Sequence, residues 1–157
     1  LFPYTTLFRS LTRLWCYRTD SFDVTQDEHD VYVIDVTFIC HPTRFFKMVD
    51  RQVLNANGVL KTQGSALAFP TVTITGQSVS ETSFTVGDQV IRIEKFTEPL
   101  VMINHPDRPS FKTLSGKVVK WSGDFITIDA SHPRQSVGVI LGSGILSLTF
   151  ETNWGWV

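Results

Sequence analysis

Between residues 31 and 40 apolar side chains recur at every second position. Tyr32, Ile34, Val36, Phe38 and Cys40 fall on one face of an extended segment, and Val31, Val33, Asp35, Thr37 and Ile39 on the other. A period of two predicts a β-strand, and apolar residues on both faces predict a central strand covered over most of its length. Pro42 has no N–H to give to a ladder and is expected to end the strand. A second short strand over 44–49 and a turn at Asn55-Ala56-Asn57-Gly58 follow, with Gly58 able to take positive φ.

Beyond a small and polar stretch at 61–68, taken as the domain boundary, the alternation resumes. Strands are predicted at 71–75, 82–86 and 89–95, the last two joined by a tight turn at Gly87-Asp88. Val72, Ile74, Thr82, Phe84, Val86, Ile91 and Ile93 supply the inward faces. Further strands are expected at 100–104, 116–120, 125–129 and 145–150, while Pro106 and Pro109 make 105–109 a loop. No amphipathic helix longer than about two turns is legible, and no repeat of the roughly 20–50 residues that marks a solenoid. Short strands at close spacing point to an all-β sandwich.

Composition narrows the class. The chain of 157 residues is 42% hydrophobic and 18% charged, which is a globular balance, and its 12 Phe suit packed sheets better than long helices. A net charge of -1 with scattered Lys and Arg is the wrong electrostatic footprint for nucleic acid. The apolar runs fall short of the ~20 residues that a membrane helix needs, so no membrane insertion is expected. Two cysteines, Cys16 and Cys40, do not make a disulfide framework; both read as buried structural thiols.

Candidate chemistry is sparse. Cys40 and His41 are adjacent and would point to opposite sides of a strand, while His105 and His132 precede prolines in loops, so no metal and no cofactor are expected. Asp124 and Asp129, with Asp107 before them, read as turn-capping carboxylates rather than a glycosidase pair, although a hydrolase fragment would need two such groups across one cleft. Gly142-Ser143-Gly144 is a hairpin turn and not a nucleophile elbow. No catalytic residue is assigned. Trp121, Trp154 and Trp156 remain as candidate interface or glycan-contact residues. Trp154 and Trp156 would share a face in an extended strand, and packing is the expected role of such rings.

Two resemblances add to this reading. Residues 1–10, LFPYTTLFRS, resemble a sequencing adapter translated in frame, so they are expected to lie outside the fold, with the native N-terminus missing upstream. The order of Phe38-Ile39-Cys40-His41-Pro42-Thr43-Arg44-Phe45, then Ala68-Phe69-Pro70 through Gly76, then Ser122-Gly123-Asp124-Phe125 and the Gly-rich segment 142–150, resembles the distal tail proteins of long-tailed bacteriophages. Asn104 departs from that pattern, where the family often carries Asp.

What the second resemblance implies is a truncated ring-forming β domain over 11–61 and a galectin-like β-sandwich over 62–157. The implied protein is a non-enzymatic hub of the phage tail tip, assembled in the bacterial cytoplasm and retained in the virion. Copies of the full-length protein would form a hexameric ring joining the tail tube and tape measure to the baseplate or receptor-binding proteins. A carbohydrate-binding module that contacts host glycans through Trp121, Trp154 and Trp156 is the alternative.

Overall fold

A computed structural model describes residues 12–26, 31–131 and 136–157. Residues 1–10 and His132, on which two of the expectations above fall, lie outside the described residues. The fold is all-β, with no helix among the described residues. It divides into two compact units, Leu1–Lys47 with Trp156–Val157 and Met48–Gly155.

The first unit is built on a long antiparallel ribbon of β1 (Thr12–Gln26) and β2 (Tyr32–Phe46). Pro42 does not end β2. The strand runs on through it, and pairing resumes beyond it with Arg44 opposite Leu14 and Phe46 opposite Thr12. The missing N–H is accommodated by a break in register, one of the places where a paired strand tolerates proline.

The second unit holds β3 (Asp50–Leu54), β4 (Gly58–Lys61), β5 (Leu67–Ala68), β6 (Thr71–Gly76), β7 (Thr82–Val86), β8 (Gln89–Ile93), β9 (Leu100–Ile103), β10 (Ser110–Thr113), β11 (Trp121–Ser122), β12 (Ile128–Asp129), β13 (Ser136–Leu141) and β14 (Ile145–Thr152). Two five-stranded sheets have the orders β10-β9-β6-β14-β3 and β11-β8-β7-β13-β4, and β12 pairs with β5 in a small third sheet. Each rank of one large sheet is matched in the other by its neighbour in sequence: β10 by β11, β9 by β8, β6 by β7, β14 by β13 and β3 by β4. That is the winding of a jelly roll, with β10 and β11 added at one side. The final strand β15 (Gly155–Trp156) adds to β2 to complete a sheet of order β1-β2-β15.

The core of the second unit follows from alternation. Across the first large sheet Phe111, Met102, Val72 and Phe150 stand in one row, and Leu100, Ile74, Leu148 and Leu54 in the next. From the other sheet Phe84, Val86, Ile91 and Ile93 are buried, as their period predicts. The β7–β8 hairpin closes at Gly87-Asp88 with Val86 opposite Gln89, and Gly87 takes a φ of 62°, as a two-residue turn requires.

Side-chain amides complete backbone bonding where the ladders stop. Asn104 is buried; its Nδ2 donates to the Pro70 carbonyl at 2.6 Å and its Oδ1 accepts from the Ile126 N–H at 2.7 Å. Gln89 makes the same two-way contact with Thr127, at 2.8 and 2.9 Å, and Gln52 with Lys61, also at 2.8 and 2.9 Å. Asn104 therefore has a structural use that an aspartate cannot reproduce, since one end must donate.

Several expectations change. The boundary expected between residues 61 and 62 falls inside the second unit, because β3 and β4 pair with β14 and β13. The small residues at 61–68 serve close packing: Ser65 and Ala66 N–H groups donate to the Gly155 carbonyl, and Ala66 and Ala68 are buried. Gly142-Ser143-Gly144 is the turn between β13 and β14, and it is held in place. Thr82 Oγ1 donates to the Ser143 carbonyl at 2.7 Å, and a β-carbon on Gly142 would collide with the Ser83 carbonyl. Gly58 is not among the positive-φ glycines. Residues 116–120 form a turn and an isolated bridge, whereas 110–113 and 136–141 are strands.

Candidate assembly surface

Register decides which side chains of the ribbon share a face. Opposite Ile34 stands Val24, opposite Val36 stands Phe22, and Tyr32 and Phe38 continue the row at either end. These six side chains form one apolar stripe, and every one of them is exposed: Tyr32 by 64%, Phe22 by 62%, Ile34 by 58% and Phe38 by 57%. β2 is the middle strand of its sheet, as expected, but the apolar side chains on its face are exposed and not covered.

On the other face Val33 and Thr25, Asp35 and Asp23, and Thr37 and Ser21 are paired. Two carboxylates directly opposite one another destabilise a sheet slightly, so the Asp23–Asp35 pair works against the pairing of the strands. Each side of a two-stranded ribbon meets water, a marginal arrangement for an isolated hairpin. Among the described residues β1 has β2 as its one sheet neighbour. An apolar face and an open edge on one element are the two features by which sheets recruit other chains.

Cys16 and Cys40 are not buried thiols. They stand opposite one another in the ribbon and are joined as a disulfide, with Cys16 exposed and Cys40 half-buried. The expectation followed the alternation of β2, which places Cys40 with Phe38; the pairing depends on where β1 returns, and spacing in sequence does not carry that.

The three tryptophans do not gather into a platform. Trp154 is buried and donates its Nε1–H to Asp50 Oδ2 at 2.9 Å, so it is a core residue and offers nothing to a glycan. Trp121 lies at the other side of the sandwich, opposite Ile93 and therefore turned to the inner face, where Phe111 and Phe125 meet it edge-on at 5.3 and 5.1 Å. Trp156 belongs to the first unit, half exposed, with the Phe46 ring at 5.8 Å. Trp154 and Trp156, two residues apart, thus differ in surroundings, the first buried and the second exposed.

A depression of about 210 Å³ on the second unit is lined by Glu81, Arg92, Glu94, Lys120, Trp121 and Ser122. It is shallow and polar, and Lys120 already pairs with Glu94 across it at 3.5 Å. Asp129 caps a turn through the Ser131 N–H at 2.8 Å, and Asp124 is exposed; neither lines this depression. Asp107 takes part in a local turn through its own N–H, donated to His105 Nδ1. Among the described residues no three His, Cys, Asp or Glu side chains converge as metal ligands would. Comparison of the chain with protein-family models, curated proteins and solved structures returned no match.

Proposed function

We propose that this protein is a structural assembly subunit, of the kind that forms the distal hub of a phage tail, and that its copies associate through the β1–β2 ribbon. The observation that carries the reading is the exposed stripe of Phe22, Val24, Tyr32, Ile34, Val36 and Phe38, with no layer over it among the described residues. The order of motifs along the chain supplies the phage-tail part of the proposal, and the jelly-roll unit is compatible with the galectin-like domain that the resemblance implies. In this reading the second unit is a rigid body carried by each copy, and the ribbon is the joint between copies. A net charge of -1 leaves little long-range repulsion between them.

A ring needs a head-to-tail contact whose rotation closes, so association should stop at one size. Native mass spectrometry of the intact chain, with negative-stain imaging, tests this. A single closed oligomer is the expected product. A chain that remains monomeric, or that grows without limit, argues against a ring-forming hub.

A further inference from the structure

The ladder between β1 and β2 breaks register at three places, and all of them flank one covalent bond. From Leu14 to Cys16 the partner strand passes from Arg44 to Cys40, which leaves His41, Pro42 and Thr43 outside the paired positions. From Cys16 to Arg18 the partner moves only from Cys40 to Ile39, and a further shift lies between Thr19 and Ser21. In the middle of this irregular stretch Cys16 and Cys40 are directly opposite and bonded.

Register matters here more than in an ordinary hairpin. Phe22 and Val24 stand beside Val36 and Ile34 in the observed register; a slip of one residue exchanges them for Asp23 and Thr25 and puts a carboxylate on the apolar stripe. Packing against a second layer normally enforces register, and the stripe has none among the described residues. The hydrogen-bond ladder alone holds weakly beside three shifts.

We propose that the Cys16–Cys40 disulfide is a reversible redox clamp that sets the register of the ribbon and thereby the composition of its apolar face. The effect on assembly rests on the function proposed above; the clamp itself does not. The partner chemistry is a low-molecular-weight thiol and disulfide couple, RSH and RSSR. On closing, one cysteine thiolate attacks RSSR, forming a mixed disulfide and releasing RS⁻. The second thiolate attacks the protein sulfur of that mixed disulfide, forms the Cys16–Cys40 bond and expels the second RS⁻. The two protons lost by the cysteines end on the two RSH released. Opening runs the same steps backward with two RSH as reductant, and the exposure of Cys16 gives that reagent access.

The test uses the intact chain equilibrated in reduced and oxidised glutathione at graded ratios, trapped by alkylation and weighed by mass spectrometry. Hydrogen exchange and light scattering are then followed on the same samples. The oxidised protein should resist alkylation, and on reduction exchange across 18–26 and 32–39 should accelerate roughly 300-fold, the scale expected for opening a bridged loop of this length. Peptides from β6, β9 and β14 serve as an internal reference and should not change. Cys16→Ser should behave like the reduced wild type, and agreement between the two guards against a folding defect of the variant. Faster ribbon exchange with a smaller oligomer supports both the clamp and the assembly reading. Faster exchange with the mass unchanged supports the clamp and overturns its coupling to assembly. Full alkylation at every ratio, or identical exchange in both states, overturns the clamp.

Discussion

The β7–β8 hairpin and the β1–β2 ribbon are both antiparallel pairs with apolar side chains at alternate positions, yet they end in opposite surroundings. Phe84, Val86, Ile91 and Ile93 are at most 1% exposed, whereas Phe22, Ile34 and Phe38 are all more than half exposed. The strand pattern is the same; the difference is whether the chain itself supplies an opposing sheet. In the sandwich each strand has its sequence neighbour at the matching rank of the other sheet, so every inner face is covered from within. No such layer exists for the ribbon among the described residues. Alternation therefore specifies which face must be covered and says nothing about who covers it.

The contrast can be broken most forcefully from the sandwich side. Phe84→Ala should lower the stability of the second unit by about 3–5 kcal/mol, the usual cost of a large cavity in a closed core. Phe22→Ala should change the same transition by no more than about 0.5 kcal/mol, because a side chain already in water leaves no cavity. Urea unfolding followed by tryptophan fluorescence measures both.

Asn104 tests whether side-chain amides, and not only apolar rows, hold the sandwich together. Asn104→Asp should cost about 1–3 kcal/mol at neutral pH, since the Pro70 carbonyl loses its donor and faces a carboxylate. The introduced carboxyl is better tolerated protonated, so its pKa is raised in the fold. The deficit should shrink as pH falls through that raised pKa and be full above it. Equal losses at acid and neutral pH would show that the donor at this position is not what matters.

Thr152 runs the other way. It is 1% exposed and its Oγ1 has no hydrogen-bond partner among the described residues, so Thr152→Val should stabilise the second unit by about 1 kcal/mol. A loss of stability in thermal melts would mean that the hydroxyl is satisfied in solution.

The smallest effect belongs to the exposed surface. A hydrogen bond from Ser115, and then the nearby Lys117 ammonium, hold the Glu98 carboxyl below its usual range, against an opposing contribution from desolvation. Because the folded pKa is depressed, any stability this gives is present above the ordinary carboxylate pKa and is lost as pH falls through the lowered value. Glu98→Gln should leave the neutral-pH melting temperature nearly unchanged and slightly flatten its acid limb, as differential scanning fluorimetry across that range would show.

Local pattern carried much of the fold. The inward residues of β6, β7 and β8, the Gly87-Asp88 turn and the loop at 105–109 follow from alternation, turn chemistry and proline. What it missed depended on partners distant in sequence. Pro42 reads as a stop until β1 is seen to resume pairing beyond it, and 61–68 reads as a linker until β3 and β4 are found at the edges of the two sheets. Ser136–Leu141 lacks clean alternation because Gly138 interrupts it, and its place is fixed by β4 and β7 on either side. The candidate surface was half legible: the apolar face of β2 is plain in the sequence, but its exposure, the contribution of Phe22 and Val24, and the disulfide are consequences of register. Trp154 was grouped with Trp156 by spacing, and the hydrogen bond to Asp50 that explains its burial spans most of the second unit in sequence.

Sedimentation velocity on the intact chain and on an Ile34→Lys, Val36→Lys variant, over a wide range of concentration, puts the account at most direct risk. The wild type should sediment as an oligomer and the variant as a monomer, with both retaining the same unfolding transition for the second unit. A wild-type chain that is monomeric throughout, or a variant that assembles as well as the wild type, would contradict the claim that the ribbon is the joint between copies.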